Sequence, residues 1–134
     1  MPKLSDPEVQ LFMAPNYAVA STVRPDGCPQ QTVVWVDYDG ESVLFNTAED
    51  RYKPQYLRHN GRAGVHVTHP EDPYKWVSVS GPVQLSHDGA DEHIDKLAKK
   101  YLGVDSYPGR KEGERRVIVR ITPEHVNSSG LNGQ

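Results

Sequence analysis

Along most of this chain apolar and polar positions alternate with a period of two, the spacing of strands with one buried face. Six stretches carry it and are rich in β-branched and aromatic residues: Tyr17–Val23, Gln30–Tyr38, Ser42–Thr47, Arg62–Thr68, Trp76–Leu85 and Arg116–Thr122. In the fifth, Trp76, Ser78 and Ser80 share one face and Val77, Val79 and Gly81 the other. Arg24-Pro25-Asp26-Gly27 and Asp39-Gly40 are turn signals, so the first three stretches are expected to form an antiparallel meander. The helical period takes over at Asp88–Leu102, where Ile94, Leu97, Ala98 and Tyr101 fall on one face, with Asp88 as the cap and Gly103 as the stop. A short helix is expected from an Asp6 cap with Pro7 in the first helical position, ending near Ala14-Pro15-Asn16. Another follows Asp50 and covers Tyr52–His59. His69–Pro73 and Val104–Glu114 read as loops, the second mobile, and the polar tail from Asn127 reads as disordered.

These elements predict a mainly β chain with two or three helices, built on a six-stranded antiparallel sheet largely closed on itself. Parallel doubly wound folds are disfavoured because no helix separates the first three strands, and neither a dinucleotide fingerprint nor a P-loop is present. Side chains fill the interior of so small a barrel. A ligand is then expected on a rim or between subunits, which makes a dimer attractive.

Composition narrows the partners. The 134 residues, 36% of them hydrophobic, suit one domain spanning 1–134, with no internal repeat and a core that needs no staples. A net charge of −3 argues against wrapping nucleic acid but leaves room for a local basic patch. Cys28 is the single cysteine, which excludes an internal disulfide and fits a reducing compartment. No apolar run reaches membrane-spanning length and the N-terminus lacks a signal-peptide core, so a cytoplasmic location is expected.

The stretch LFNTAEDRYKPQYLRHN carries the clearest chemistry. It reads as a strand that turns at Asn46-Thr47 and enters a helix with Arg51 and Lys53 at its start. Free N–H groups and the positive end of the helix dipole favour an anion there, and the two cations add formal charge. The competing reading is a solvated face on which Arg51 and Lys53 pair with Glu49 and Asp50. Lys75 either reaches an anionic ligand tail or decorates a loop; Trp76 either lines a ring pocket or packs. Trp35 reads as packing. His66 and His69 lack a third ligand, so no metal is expected, and His59, His87, His93 and His125 read as scattered and exposed. No nucleophile with a nearby base is evident, Cys28 included, so no catalytic side chain is named. If a proton is needed, Tyr38, Tyr52, Tyr74 or water are the candidates by type.

The ordered segments VRPDGCPQQTVVWVDYDGESVLFNTAEDRYKPQYL, GRAGVHVTHPEDPYKWVSVSG and RRVIVRITPEHV resemble the split-barrel, FMN-binding superfamily that includes pyridoxamine phosphate oxidases. Within it they are most similar to the actinobacterial branch using the deazaflavin coenzyme F-420. The resemblance covers about Val19 to Val126. It implies a six-stranded split barrel, a homodimer with a cofactor groove built from both chains, and hydride transfer to an unsaturated small-molecule substrate. Cofactor contacts carried over by position fall on Gln30, Thr32 and Val33, with Thr47, Arg51 and Lys53 holding the phosphate-bearing side. Pro54-Gln55-Tyr56 departs from the small, basic and asparagine residues common in relatives, and Pro54 fits only a first helical turn. The same fold with FMN as an oxidase or flavin reductase is the alternative, and a non-catalytic cofactor or haem-like ligand binder the third reading. The longer C-terminal region of pyridoxamine phosphate oxidase proper does not follow Val126.

Overall fold

The alternating stretches pair as β1 (Ala18–Val23), β2 (Pro29–Val34), β3 (Val36–Tyr38), β4 (Val43–Ala48), β5 (Arg62–Thr68), β6 (Trp76–Ser86), β7 (Arg116–Ile121) and β8 (His125–Ser129). Three helices, α1 (Asp6–Met13), α2 (Tyr52–Asn60) and α3 (Ala90–Leu102), complete the elements of this computed structural model, which describes residues 3–131. The sheet is antiparallel and runs in the order β2-β1-β5-β6-β7-β4-β3, with β8 added on β6. Its two end strands, β2 and β3, are separated in the chain by Trp35 alone, so the sheet curls back toward itself.

Eight strands replace the expected six for two reasons. The first is a break at Trp35, whose ring stacks on Tyr101 at 5.3 Å with the planes 8° apart. Val36 N–H donates to the Tyr101 hydroxyl at 3.0 Å instead of to a strand neighbour. The chain before the break pairs with β1, Val33 opposite Val19, and the chain after it pairs with β4, Val36 opposite Phe45. A three-stranded meander is therefore not formed. The second is β8, which lies along β6 from His125 opposite Ser80 to Ser129 opposite Trp76. Ladder hydrogen bonds and the burial of Leu131 order a stretch expected to be disordered, while residues 132–134 lie outside the described part.

Alternation decides the core. Val65, Val67, Val77 and Val79 point inward from β5 and β6, and with Phe12, Val43, Phe45, Leu57 and Ile121 they form one buried cluster. Besides β8, β6 serves two partners on its other ladder by bending: Trp76–Pro82 pairs with β5, and Val83–Ser86 with β7. Gly81 sits at the bend because a Cβ there would collide with the backbone carbonyl of Thr122. β4 and β7 are buried on both faces, since α3 covers their outer side and packs Ala90 over Leu44 and Ile118.

The helix starts differ from the sequence expectation by a residue or two. Ser5, not Asp6, caps α1, in a capping box with Glu8, and Pro7 is second in the helix. α2 begins after Arg51 rather than after an Asp50 cap, and no side chain caps it. Pro54 is thus third in α2, where its missing N–H costs no helical bond. α3 begins after Gly89 in a left-handed conformation, leaving Asp88 outside, and ends at Gly103 as the pattern predicts.

Candidate functional site

β4 continues through Asn46 and Thr47 to Ala48 instead of turning, and its alternation sends Thr47 inward and Asn46 outward. The chain then turns over Glu49-Asp50 and enters α2 with Arg51 and Lys53 at the start. Beside this corner lies a cavity of about 200 Å³. Arg51, Lys53 and Arg116 are its cations, and Val33, Val34, Trp35, Ile94 and Leu97 its apolar wall. Asn46 and Tyr107 complete the lining, which holds no carboxylate among the described residues.

Arg51 is exposed and Lys53 half-buried, and the pairs with Glu49 and Asp50 expected of a solvated face are not made among the described residues. Glu49 is engaged by Arg58 at 2.8 Å and faces His87 Nε2 at 3.1 Å. Neither Arg51 nor Lys53 has an ion-pair partner among the described residues. Burial, together with the neighbouring charge of Arg51, pushes the Lys53 ammonium below its ordinary pKa. An anion would relieve both effects. The first-turn N–H groups of Tyr52 and Lys53 have no intrahelical acceptor and add to the same preference.

Behind the cavity runs a buried polar chain. Asn46 Nδ2 donates to Ala90 O at 2.9 Å and meets His93 Nδ1 at 3.1 Å, while its Oδ1 accepts from Arg116 Nε at 2.8 Å. With its Oδ1 taken by Arg116, Asn46 turns its amide N–H toward His93 Nδ1. The other ring nitrogen, His93 Nε2, lies 3.3 Å from Asp37 Oδ2, which Lys96 Nζ also reaches at 3.0 Å. Burial alone would raise the Asp37 pKa, but His93, Lys96 and the Tyr38 N–H outweigh it and hold the carboxyl far below the usual range. His93, expected to be exposed, is buried because α3 turns it onto the sheet.

Residues 5–130 match the family model described as pyridoxamine 5'-phosphate oxidase. The chain belongs to that family. The split-barrel resemblance read from the sequence is thereby borne out. Among solved structures, this family member is similar to an F-420 reductase, with 28% identity and a TM-score of 0.80 over 92% of this chain and 98% of that one. It is also similar in fold to a conserved hypothetical protein from Mycobacterium tuberculosis, at 21% identity and a TM-score of 0.72, over 94% of this chain and 84% of that one. A putative pyridoxamine 5'-phosphate oxidase from Listeria innocua shares the fold at 18% identity and a TM-score of 0.65, covering 84% and 87%. No curated protein matches the sequence.

The residues expected to bind the cofactor separate into three groups. Val33, Arg51 and Lys53 come together on the cavity. Gln30 and Thr32 point to the inner side of β2, and Thr47 to the inner side of β4. The hydroxyls of Thr32 and Thr47 are buried without a hydrogen-bond partner among the described residues. Lys75 and Trp76 lie elsewhere: Lys75 lines an open groove beside α1 with Gln10 and His69, and Trp76 packs against His66 at 5.2 Å. Trp35 both packs and lines the cavity, and Tyr107 meets it edge-on at 5.9 Å.

Asn46, Tyr107 and Arg116 were not legible as site residues. Alternation did place Arg116 on the face opposite Val117 and Val119, but nothing local says that a helix and a loop cover that face. The loop after α3 is also tied down more than its composition suggests. Tyr107 N–H donates to Asp95 Oδ1 at 2.9 Å, and Arg110 pairs with Asp95 at 2.7 Å and Asp91 at 3.2 Å.

Proposed function

We propose that this protein is a coenzyme F-420-dependent oxidoreductase, working as a cytoplasmic homodimer on an unsaturated small-molecule substrate. The observation that carries the reading is the convergence of Arg51 and Lys53 with the apolar Val33–Trp35 wall on one cavity, with no carboxylate among its described lining residues. That pairing fits a cofactor with an anionic end and a flat ring, and the name of the F-420 reductase neighbour supports the deazaflavin. Such a cofactor, when bound, supplies the hydride.

The chain's own residues supply binding, orientation and exclusion of water. Arg51, Lys53 and the first-turn amides of α2 take the phosphate side, and the buried Thr47 hydroxyl stands inside the same strand end. Val33 and Trp35 give the ring an apolar surface, and Gln30 and Thr32, on the inner face of the same strand, support that surface from behind. Val33 is 66% exposed and Tyr52 65%, apolar surface that a second copy would cover. In the homodimer Lys75 and Trp76 serve the groove of the opposite chain. No protein nucleophile is required, and water is an adequate proton donor.

FMN is the second reading, favoured by the description of the matching family. A fluorescence titration with coenzyme F-420 and with FMN separates the two, with Lys53→Ala alongside. We expect tight binding of the deazaflavin and a loss of about tenfold in the variant, the value of one charge-assisted contact. Preference for FMN would transfer the protein to the oxidase side of the family, and binding of neither would refute the cofactor assignment.

A further inference from the structure

Arg116 opens β7 and faces outward, under α3 and the Tyr107 loop. Its side chain is only 2% exposed, a costly place for a guanidinium that stays charged. Glu114 Oε1 lies 3.2 Å from Nη1, yet neither atom makes a hydrogen bond among the described residues. Nε alone is spent, on Asn46 Oδ1 at 2.8 Å. Asn46 is itself locked by Ala90 O and His93 Nδ1, so its oxygen can face only Arg116. Tyr107 closes one side of the guanidinium at 5.2 Å. The two-bond fork common between an arginine and its carboxylate partner is not closed on Glu114. Arg116 is braced from behind, keeps N–H capacity unspent and stands on the wall of the cavity shared with Arg51 and Lys53.

We propose that Arg116 is a third anion-binding residue of this cavity, positioned by Asn46, and that it grips phosphate-type oxygens of the ligand from the buried side. Arg51 and Lys53 hold the same group from the exposed side. The inference rests on the reading that the cavity takes the phosphate end of a ring cofactor. It also gives Glu114 a definite role: its carboxylate competes with the ligand for the guanidinium, which sets an upper limit on affinity.

The test uses ligand pairs that differ in the phosphate: FMN against riboflavin, and coenzyme F-420 against its 8-hydroxy-5-deazaflavin ring without the tail. Binding is titrated for the wild type, Arg116→Gln and Glu114→Gln, with folding checked by circular dichroism. Arg116→Gln should weaken the phosphorylated member of each pair by about tenfold or more and leave the other within about twofold. Glu114→Gln should tighten the phosphorylated member by about threefold or more, a gain that a purely structural arginine would not give. Equal changes within a pair, or none in either variant, would overturn the proposal. If Arg116→Gln does not fold, the sign of the Glu114→Gln effect decides alone. If the wild type binds no ring ligand, the cofactor reading fails separately, and pyrophosphate becomes the probe. A rise in its thermal midpoint with pyrophosphate, larger in Glu114→Gln, would then sustain the role of Arg116; no difference between the two proteins would end it.

Discussion

Removing one oxygen from Tyr101 should destabilise the fold through the strand break that shapes the cavity wall. The Tyr101 hydroxyl accepts from Val36 N–H at 3.0 Å and donates to Asn16 O at 2.7 Å, replacing the ladder bond that an unbroken strand would make at Val36. Burial pushes its pKa up to about 12, as expected for a phenol kept protonated inside the protein. In Tyr101→Phe the ring still stacks on Trp35, so the packing contribution is retained. Val36 is fully buried, and its N–H would lose its acceptor at a cost of about 1–3 kcal/mol. Asn16 is half-buried, and rehydration of its carbonyl limits that loss to about 0.5–1.5 kcal/mol. The total is about 1.5–4.5 kcal/mol. Urea unfolding should show it as a midpoint lowered by about 0.8–3 M at an unchanged slope of about 1.5–2 kcal/mol per M. Tyr17→Phe removes the same atom from a residue that is 60% exposed and should change stability by less than about 0.5 kcal/mol. A Tyr101→Phe loss no larger than that of Tyr17→Phe would refute the account of the break, because Val36 N–H would then need no partner.

Three further outcomes follow from buried groups. Asp37 has its folded pKa below its ordinary 3.8, so its contribution is full above that value and fades as pH falls beneath it. The gap in thermal midpoint between wild type and Asp37→Asn should therefore be wide at neutral pH and narrow below about pH 4. Lys100 donates to Phe12 O and Val36 O, and burial lowers its pKa from 10.5 to about 8, with Asp37 opposing and Lys96 adding to the shift. Its contribution is full above the unfolded value and is lost as pH falls through about 8, so Lys100→Met should compare more favourably with wild type at pH 7 than at pH 10. Gly81→Ala would drive a methyl group into the Thr122 carbonyl, with an expected loss of about 2–3 kcal/mol by chemical denaturation; a neutral result would mean that the bend in β6 is soft.

Much of the frame was legible locally. Alternation and turn chemistry located five of the expected stretches to within about two residues. Gly103 stopped α3, and Arg51 and Lys53 could be assigned to a strand-to-helix corner before any contact was known. These features depend on neighbours a few residues away, so the sequence contains their causes. The break at Trp35 does not: Gln30–Tyr38 has strong strand propensity throughout, and only a hydroxyl 65 positions later, on Tyr101, diverts the Val36 N–H. β8 was hidden for a related reason, since polar residues such as Asn127 and Ser129 become a strand only when β6 offers an edge.

A period of two tells which side chains share a face, and nothing about what that face meets. The sequence by itself therefore determined the inward valines of β5 and β6 and the charge at the start of α2. Tertiary structure alone decided that α3 lies over β4 and β7, and this one packing choice buried His93, locked Asn46 and enclosed Arg116. Asn46, His93 and Arg116 come from three elements separated by 47 positions and more, apart from the 23 between the last two. Each is an ordinary polar residue in its own segment. Burial makes their pairing obligatory, because a polar group removed from water must find its partner within the protein.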